Sequence, residues 1–245
     1  MNKILVTGGT GNLGSHTVDV LKASGRDIQI LSRKPGTDHS VADLLTGEGL
    51  AAALAGVDTV LHLATGKSDG EQTRRLLDAA RVARVTHFVY ISIVGVDQIP
   101  FPYYVDKLAC ERLIEASGIP FTILRATQFH DFVAAFFAPR LPFTLALDVS
   151  DQPIAVEEVA ARLVDLAEAV PAGRMPDIGG PEQLTVRELA GIWQRAHGIR
   201  KPIWTLWIPG KTIAAFKRGH HMTALPGYGT ETFAQYAARR GTNEA

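Results

Sequence analysis

The most informative segment of this chain reads Thr7-Gly8-Gly9-Thr10-Gly11-Asn12-Leu13-Gly14. It directly follows an apolar run over residues 2–7, which has the composition of a buried strand. In residues 15–23, which come next, the apolar side chains recur at helical spacing. A strand, a glycine turn and a helix in this order form the phosphate-binding corner of a Rossmann βαβ unit.

Each glycine of this corner has a predicted role. Gly8 permits the tight turn, Gly11 lets the backbone approach a pyrophosphate, and Gly14 lets the helix pack close to the strand. A pyrophosphate is favoured at the helix N-terminus by N–H groups and the helix dipole. The alternative is a structural glycine turn that binds nothing. The dinucleotide hypothesis assigns cofactor contacts to Gly8, Thr10, Gly11, Asn12, Leu13 and Gly14.

Composition narrows the class of protein. The chain has 245 residues, with 25 Lys and Arg balanced by 25 Asp and Glu, so whole-chain charge gives no reason to expect nucleic acid or an anionic membrane surface as partner. The first strand begins at once, which argues against a signal peptide, and prolines and an arginine interrupt the most apolar region, residues 132–147. The single cysteine, Cys110, is compatible with a reducing cytosol. We therefore expect a cytoplasmic protein.

Strands and helices alternate through the first half of the chain. Apolar patterning predicts strands over residues 27–32, 39–42, 57–64, 87–93 and 121–126, and helices over 50–54, 72–84 and 103–117. Alternation at this pitch predicts an α/β fold, a Rossmann doubly wound parallel sheet with helices on both faces. Leu63 and Ala64, at the end of the fourth predicted strand, are further expected cofactor contacts.

Past residue 126 the alternation loosens. We predict helices over residues 156–170 and 186–197, a strand over 201–208, and a final helical stretch from near Lys211. Thr185 and Glu188 have the spacing of a capping box at the start of the second of these helices. The chain is therefore expected to be a single NAD(P)-binding Rossmann domain over residues 1–245, in which roughly 128–245 form a small substrate cap.

The end of the second strand bears on nucleotide choice. NAD-preferring Rossmann sites place a carboxylate there, but this chain has Ser32, followed by Arg33 and Lys34. A hydroxyl and a guanidinium can bind a 2′-phosphate, which a carboxylate repels. The pattern favours NADP(H) over NAD(H), unless the two cations are ordinary solvated charges. Asp43 is a candidate contact to adenine or, equally, a turn carboxylate.

Three residues fit carbonyl reduction. Tyr103 and Lys107 are four apart at the start of a predicted helix, and Ser92 lies near the carboxyl end of the fifth strand, at the sheet edge where such folds bind ligands. An ordinary tyrosine has a pKa of about 10, which is high for proton transfer at neutral pH. The Lys107 ammonium, if it lies beside Tyr103, lowers the pKa of that tyrosine. Tyr104 competes for the tyrosine role. Alternatively, Tyr103 packs under the cap and Lys107 only holds the ribose.

Several of these features together resemble one protein family, the NmrA-like NAD(P)H-binding branch of the atypical short-chain dehydrogenase/reductase superfamily. The resemblance is carried by the glycine segment, the Tyr103 and Lys107 pair, Glu111, and residues 119–125 followed by Thr127-Gln128-Phe129. The resemblance implies a Rossmann fold, an NADP(H) preference and a substrate cleft between sheet and cap. Members of this branch include quinone, azo and ketone reductases, and also redox-sensing regulators that bind cofactor without turnover.

Residues after the sixth strand are expected at the cleft. Phe129 is predicted to pack beside the nicotinamide, and His130 either donates a proton in place of Tyr103, caps the next helix or points to water. An aromatic cluster is expected that belongs either to the core or to an apolar substrate pocket, and its members are Phe132, Phe136, Phe137 and Phe143. The adjacent His220 and His221 have no further His or Cys nearby in sequence, so no metal is expected.

Two functions fit these observations. The first is an NADPH-dependent oxidoreductase that transfers hydride to a small apolar carbonyl or quinone. The second is a non-catalytic NADP(H)-binding redox sensor. Both use the glycine corner and Arg33, so these features cannot separate them.

Overall fold

The computed structural model describes residues 3–138 and 141–243. The chain forms two compact units. The first comprises Met1–Ser92, Val105–Arg125 and Glu157–Pro176, and the second comprises Ile93–Tyr104, Ala126–Val156 and Asp177–Ala245. Residues 157–176, which the sequence assigned to the cap, therefore belong to the first unit.

The described residues form eleven strands and nine helices. The strands are β1 (Ile4–Thr7), β2 (Ile28–Ser32), β3 (His39–Val41), β4 (Thr59–His62), β5 (His87–Ile93), β6 (Phe121–Ala126), β7 (Thr144–Leu147), β8 (Ser150–Asp151), β9 (Gly173–Arg174), β10 (Leu184–Thr185) and β11 (Ile203–Leu206). The helices are α1 (Asn12–Ala23), α2 (Leu50–Ala53), α3 (Asp69–Val82), α4 (Pro102–Ala116), α5 (His130–Ala135), α6 (Val156–Glu168), α7 (Val186–Ala196), α8 (Lys211–Lys217) and α9 (Phe233–Asn243).

The first unit is built on a seven-stranded sheet in the order β3-β2-β1-β4-β5-β6-β9. The pairings of β1 with β2 and β4, of β2 with β3, of β4 with β5 and of β6 with β9 are parallel. Every residue of β1 and β4 is buried, as expected for central strands covered on both faces. The order of the first six strands is that of a Rossmann sheet, so the predicted fold class is confirmed.

Local chemistry explains where the element boundaries differ from the prediction. Helix α3 begins at Asp69 rather than at residue 72, because the Asp69 carboxylate accepts hydrogen bonds from the Gly66 N–H and the Thr65 hydroxyl and so fixes the turn that precedes it. Helix α1 begins at Asn12, directly from the glycine turn. Asn2, in the first predicted strand, lies outside the described residues.

A buried ion-pair network fastens α4 to the sheet. Glu111 is fully buried, and its carboxylate accepts two hydrogen bonds from Arg125 of β6, at 2.8 and 2.7 Å. Arg174 of β9 lies 3.0 Å from the same carboxylate and 2.5 Å from Glu115. This fork-to-fork geometry holds α4 in place, and with it Lys107.

The second unit has two small sheets, a parallel pair of β7 with β11 and an antiparallel pair of β8 with β10. Thr185 and Glu188 form the predicted capping box at the start of α7. The predicted strand over 201–208 is confined to β11, and the helical stretch from Lys211 forms α8, with a further helix, α9, beyond it. Within the described part of the chain, no helix has both the length and the apolar character needed to cross a membrane.

The four phenylalanines do not form one aromatic cluster, so that expectation is wrong. Phe137 is buried in the core of the second unit. Phe132 and Phe136 are half-exposed and pack edge to face on each other. Phe143 stacks on Trp204 instead. The helical turn of α5 and the strand β7 carry these residues to separate places.

Candidate cofactor-binding and active site

The glycine corner is held by close backbone packing at two of its three predicted positions. Gly8 has a φ of +71°, and a Cβ there would lie 2.6 Å from the Ala64 nitrogen. A Cβ at Gly14 would lie 2.0 Å from the Gly8 carbonyl oxygen, so α1 starts against the turn itself. These two glycines are required by the fold alone.

Gly11 differs from these two because it is exposed and has an ordinary φ of −81°. A Cβ there would meet only the Gly8 oxygen, at 3.3 Å. Packing therefore gives little reason for glycine at this position. A ligand that approaches the backbone gives a better reason, because a side chain would fill the space it needs.

The start of α1 fits an anion. Gly11 is the N-cap and supplies no side-chain hydrogen bond, and the first turn of the helix contains no acidic residue. Thr10 and Asn12 are exposed, whereas Leu13 is buried. The first N–H groups of a helix lack partners within it, and they carry partial positive charge. The corner thus has the geometry and the electrostatics to hold a diphosphate.

The neighbouring strand ends place the other expected cofactor contacts. Leu63 is buried, and the Ala64 N–H donates to the Thr7 hydroxyl at 3.2 Å. The Ser32 hydroxyl, at the end of β2, accepts from the Lys34 N–H at 3.1 Å, and Arg33 is exposed. The Asp43 carboxylate accepts from the Leu45 N–H at 2.7 Å, so Asp43 does serve as a turn carboxylate.

A buried hydrogen-bond chain runs through the first unit, and sequence reasoning missed it. His62 Nδ1 lies 2.7 Å from the Thr7 hydroxyl, and its Nε2 lies 3.1 Å from the hydroxyl of Thr73, which donates to Cys110. Burial, with a smaller contribution from the Lys107 charge, lowers the pKa of His62 to about 3. The only signal in the sequence is a polar residue at the last position of each of two mainly apolar strands, β1 and β4.

Lys107 is also buried, and it faces a carboxylate. Its Nζ lies 3.7 Å from Asp69 and 5.0 Å from the centre of the Tyr90 ring. Burial lowers the pKa of Lys107, and the Asp69 charge opposes that shift. Asp69 thus links the Lys107 ammonium to the loop that leads from β4 to α3. No pattern in the sequence predicts this pair.

Ser92 lies in β5 and is buried. Its hydroxyl has no hydrogen-bond partner among the described residues. Leaving a buried hydroxyl unsatisfied costs roughly 1–3 kcal/mol, so such a group calls for an explanation. A bound substrate or cofactor that supplies the missing partner is one, and the predicted role of Ser92 fits it.

The two adjacent tyrosines of α4 have opposite environments. Tyr103 is 38% exposed, whereas Tyr104 is only 3% exposed. The Tyr104 hydroxyl accepts a hydrogen bond from the Gln128 amide at 2.8 Å. Burial, with a smaller effect from the Asp151 charge, raises the pKa of Tyr104. Tyr104 is therefore a structural tyrosine and a poor proton donor, and Tyr103 is the accessible one of the pair.

Residues after β6 are anchored within the second unit. Phe129 is the N-cap residue of α5 and makes no side-chain cap, and its backbone pairs with Ile154. His130 is fully buried and its Nε2 lies 3.1 Å from the Glu231 carbonyl oxygen. His130 therefore neither caps the helix nor points to water. Its burial also disfavours the proton-donor alternative.

Fold and glycine corner together define a Rossmann-type dinucleotide-binding protein. The chain matches the NAD(P)H-binding family over residues 8–169, and it belongs to that family. Quinone oxidoreductase 2 of Escherichia coli (strain K12) is 25% identical over 213 residues, which cover 80% of this chain and 74% of that protein. The predicted resemblance to the atypical, NmrA-like short-chain dehydrogenase/reductase group is confirmed.

Solved structures share the fold over nearly the whole chain. The crystal structure of the NADPH-dependent quinone oxidoreductase QOR2 from Escherichia coli, in complex with NADPH, has a TM-score of 0.84 and 20% identity, and it covers 97% of this chain and 99% of that one. Triphenylmethane reductase from Citrobacter sp., complexed with NADP(H), has a TM-score of 0.79 and 21% identity, with 98% and 99% covered.

Proposed function

We propose that this chain is an NADPH-dependent oxidoreductase that transfers hydride to a small apolar carbonyl or quinone. The observation that carries the proposal is the contrast along α4, where Tyr103 is accessible and Lys107 is buried beside Asp69. A protein that only bound the nucleotide would need no accessible proton donor one turn from a buried ammonium.

Several groups would hold the cofactor. Amides at the start of α1 would bind the diphosphate, with Thr10, Gly11, Asn12 and Leu13 around it, while Leu63 and Ala64 would border the turn at Gly8. Phe129 would pack beside the nicotinamide, and Lys107 would hold the nicotinamide ribose. Asp43 would contact the adenine through Oδ2, since the Leu45 N–H binds only its Oδ1 in the turn.

The preference for NADP(H) rests on the end of β2. Ser32 and Arg33 offer a hydroxyl and an exposed guanidinium, where an NAD-specific site would offer a carboxylate. Arg33 would pair with the 2′-phosphate through charge-assisted hydrogen bonds. Structural relatives were crystallised with NADPH or NADP(H) and also with NAD, so the choice rests on Ser32 and Arg33.

Reduced nicotinamide supplies the hydride when it is bound. Tyr103 donates its hydroxyl proton to the carbonyl oxygen, so that one hydride and one proton convert the carbonyl to an alcohol. The Lys107 ammonium stabilises the phenolate that remains, and the Ser92 hydroxyl orients the carbonyl by donating a hydrogen bond to it. An apolar substrate is supported by relatives that act on quinones and triphenylmethane dyes.

The test compares Tyr103→Phe with Tyr104→Phe, its matched neighbour. NADPH consumption is followed with aryl aldehydes and with quinones as acceptors, and NADPH binding is measured by calorimetry. We expect Tyr103→Phe to lower kcat for an aldehyde by roughly 10²–10⁴-fold with an unchanged Kd for NADPH, since it removes only the general acid. Tyr104→Phe is expected to keep the rate.

Quinones are a weaker test of Tyr103, because a quinone can accept hydride without a protein acid. Equal aldehyde rates for Tyr103→Phe and the wild type would refute the role of Tyr103. Tight NADPH binding without reduction of any acceptor would refute the reductase and favour the alternative, a non-catalytic NADP(H)-binding redox sensor.

A further inference from the structure

The charges of this chain are unevenly distributed. Residues 189–230 contain six Lys and Arg and no Asp or Glu, whereas the rest of the chain contains 19 basic and 25 acidic residues. Because the net charge of the whole chain is zero, whole-chain charge does not predict an anionic partner. The zero net charge of the whole chain thus masks the basic segment over residues 189–230, which lies in the second unit.

Large apolar side chains are exposed in and after β11, which lies in this basic segment, and on its partner strand β7. The apolar face is defined here as the exposed side chains Leu145, Trp204, Leu206, Trp207 and Ile208, of which Trp207 is 67% exposed and Trp204 is 55% exposed. Trp204 is in register with Leu145 across the β7–β11 pair, and its ring stacks on Phe143 at 4.2 Å. Because residues two apart in a strand share a face, Trp204 and Leu206 lie on the same side of β11.

Basic residues flank this face at both ends of β11. Arg200 and Lys201 precede the strand and Lys211 follows it, and Arg200 and Lys211 are exposed. Arg187 of α7 also contacts β11. Its guanidinium donates a hydrogen bond to the Ile203 carbonyl and lies 3.3 Å from the Thr205 hydroxyl. Surfaces that bind in the headgroup region of a bilayer have this composition: exposed tryptophan and leucine side chains with lysine and arginine around them.

We propose that the apolar face docks onto the surface of an anionic lipid bilayer. Trp204, Trp207 and Leu206 enter the boundary between headgroups and acyl chains, and Lys201 and Lys211 pair with lipid phosphates. Attraction of the lysines to anionic lipid and burial of the apolar side chains both favour docking. This inference is independent of the proposed reductase function, because docking uses none of the residues of the cofactor site.

Charge and side-chain type favour a bilayer over the other occupants. A symmetric dimer through this face would bring two copies of the basic residues together, and the carboxylate beside the end of β11, that of Asp148, is already paired with Lys217. Nucleic acid would use aromatic stacking, but exposed aliphatic residues such as Leu206 and Ile208 offer no stacking surface. A bilayer uses the aromatic, aliphatic and basic groups together.

The test uses phosphatidylcholine vesicles with and without phosphatidylglycerol. We expect the wild type to co-sediment with the anionic vesicles only, and to do so less as salt is raised. The variants Trp204→Ser/Trp207→Ser and Lys201→Glu/Lys211→Glu are each expected to weaken binding at least about tenfold. The matched control is Val82→Ser/Val170→Ser, which removes two side chains that are 83% and 81% exposed in the first unit and leaves binding unchanged.

Fluorescence reports insertion directly. The chain has three tryptophans, and Trp193 is buried in the protein, so Trp204 and Trp207 account for any change on docking. We expect a blue shift and quenching by brominated lipids in anionic vesicles. Absence of quenching, or equal binding by the wild type and the double tryptophan variant, would overturn the proposal. A dimer in sedimentation velocity that the tryptophan variant abolishes, without vesicle binding, would assign the face to a second copy instead.

Discussion

Buried polar groups serve different purposes in the two units. In the second unit, the buried Gln152 side chain is satisfied by the fold, because its amide donates to the Gly180 carbonyl and accepts from the Thr223 N–H. In the first unit, the Ser92 hydroxyl has no partner among the described residues, and Lys107 is buried beside Asp69. The Gln152 amide thus joins loops of the second unit, whereas Ser92 and Lys107 of the first unit are the groups that the proposed function assigns to a ligand.

The largest expected effect tests whether the first unit depends on its buried charges. Glu111→Ala leaves Arg125 without its carboxylate and removes one of the two carboxylates that Arg174 contacts, and we expect a loss of about 3–5 kcal/mol in the free energy of unfolding. Urea denaturation measures it. The matched control is Glu115→Ala, which removes a half-exposed carboxylate from the same helix and is expected to cost under about 1 kcal/mol. An equal loss of unfolding free energy in the two variants would show that the buried ion pairs of Glu111 contribute no more to stability than the half-exposed pair of Glu115.

A pH series sharpens the same comparison at His62. Its pKa is about 3 in the fold and about 6.5 in an unfolded chain, so between these values the unfolded state binds more protons. Stability therefore falls as pH drops below about 6.5, by roughly 2 kcal/mol at about pH 5 from this group. His87 and His221, whose pKa values are also lowered by burial, add to the slope.

The variant His62→Gln isolates the contribution of that histidine. Its free energy of unfolding at neutral pH is expected to be lower, because the bond to Thr7 or to Thr73 is weakened. Its further loss on acidification should be smaller than that of the wild type by roughly 2 kcal/mol at about pH 5. The same acid-induced loss in both proteins would contradict a neutral, buried His62.

The smallest expected effect concerns nucleotide choice at the edge of the first unit. Arg33→Ala should weaken NADPH binding about tenfold and leave the Kd for NADH unchanged, because only NADPH carries the 2′-phosphate. Arg81→Ala, which removes an exposed guanidinium from the end of α3, is the control. A matching loss of affinity for NADH would exclude recognition of the 2′-phosphate by Arg33.

Much of the first unit could be predicted from the sequence because its elements are regular. Strands such as β1 and β4 are buried on both faces and read as apolar runs between helices. The strand β9 could not be found in this way. Gly173 and Arg174 follow a proline in a stretch that reads as a turn, and they become a strand only by pairing with Thr122 and Ile123 of β6.

The second unit was less predictable because long-range pairing defines it. Its strands β8 and β10 have two residues each, too few for any periodic pattern. At the candidate site, the glycine corner was visible as a contiguous motif. His62 and Asp69 were not, because their partners Thr7, Thr73 and Lys107 come from separate segments of the chain.

The central claim is that main-chain amides between β1 and α1 bind a diphosphate. Calorimetric titration of NADPH into the wild type and Gly11→Val tests it most directly, because a Cβ at Gly11 would meet one backbone atom, the Gly8 carbonyl oxygen at 3.3 Å, which has to move by only a few tenths of an ångström. We predict one NADPH per chain for the wild type, and at least about tenfold weaker binding by the variant at an unchanged melting temperature. No binding by the wild type, or equal affinity in both proteins, would contradict the claim.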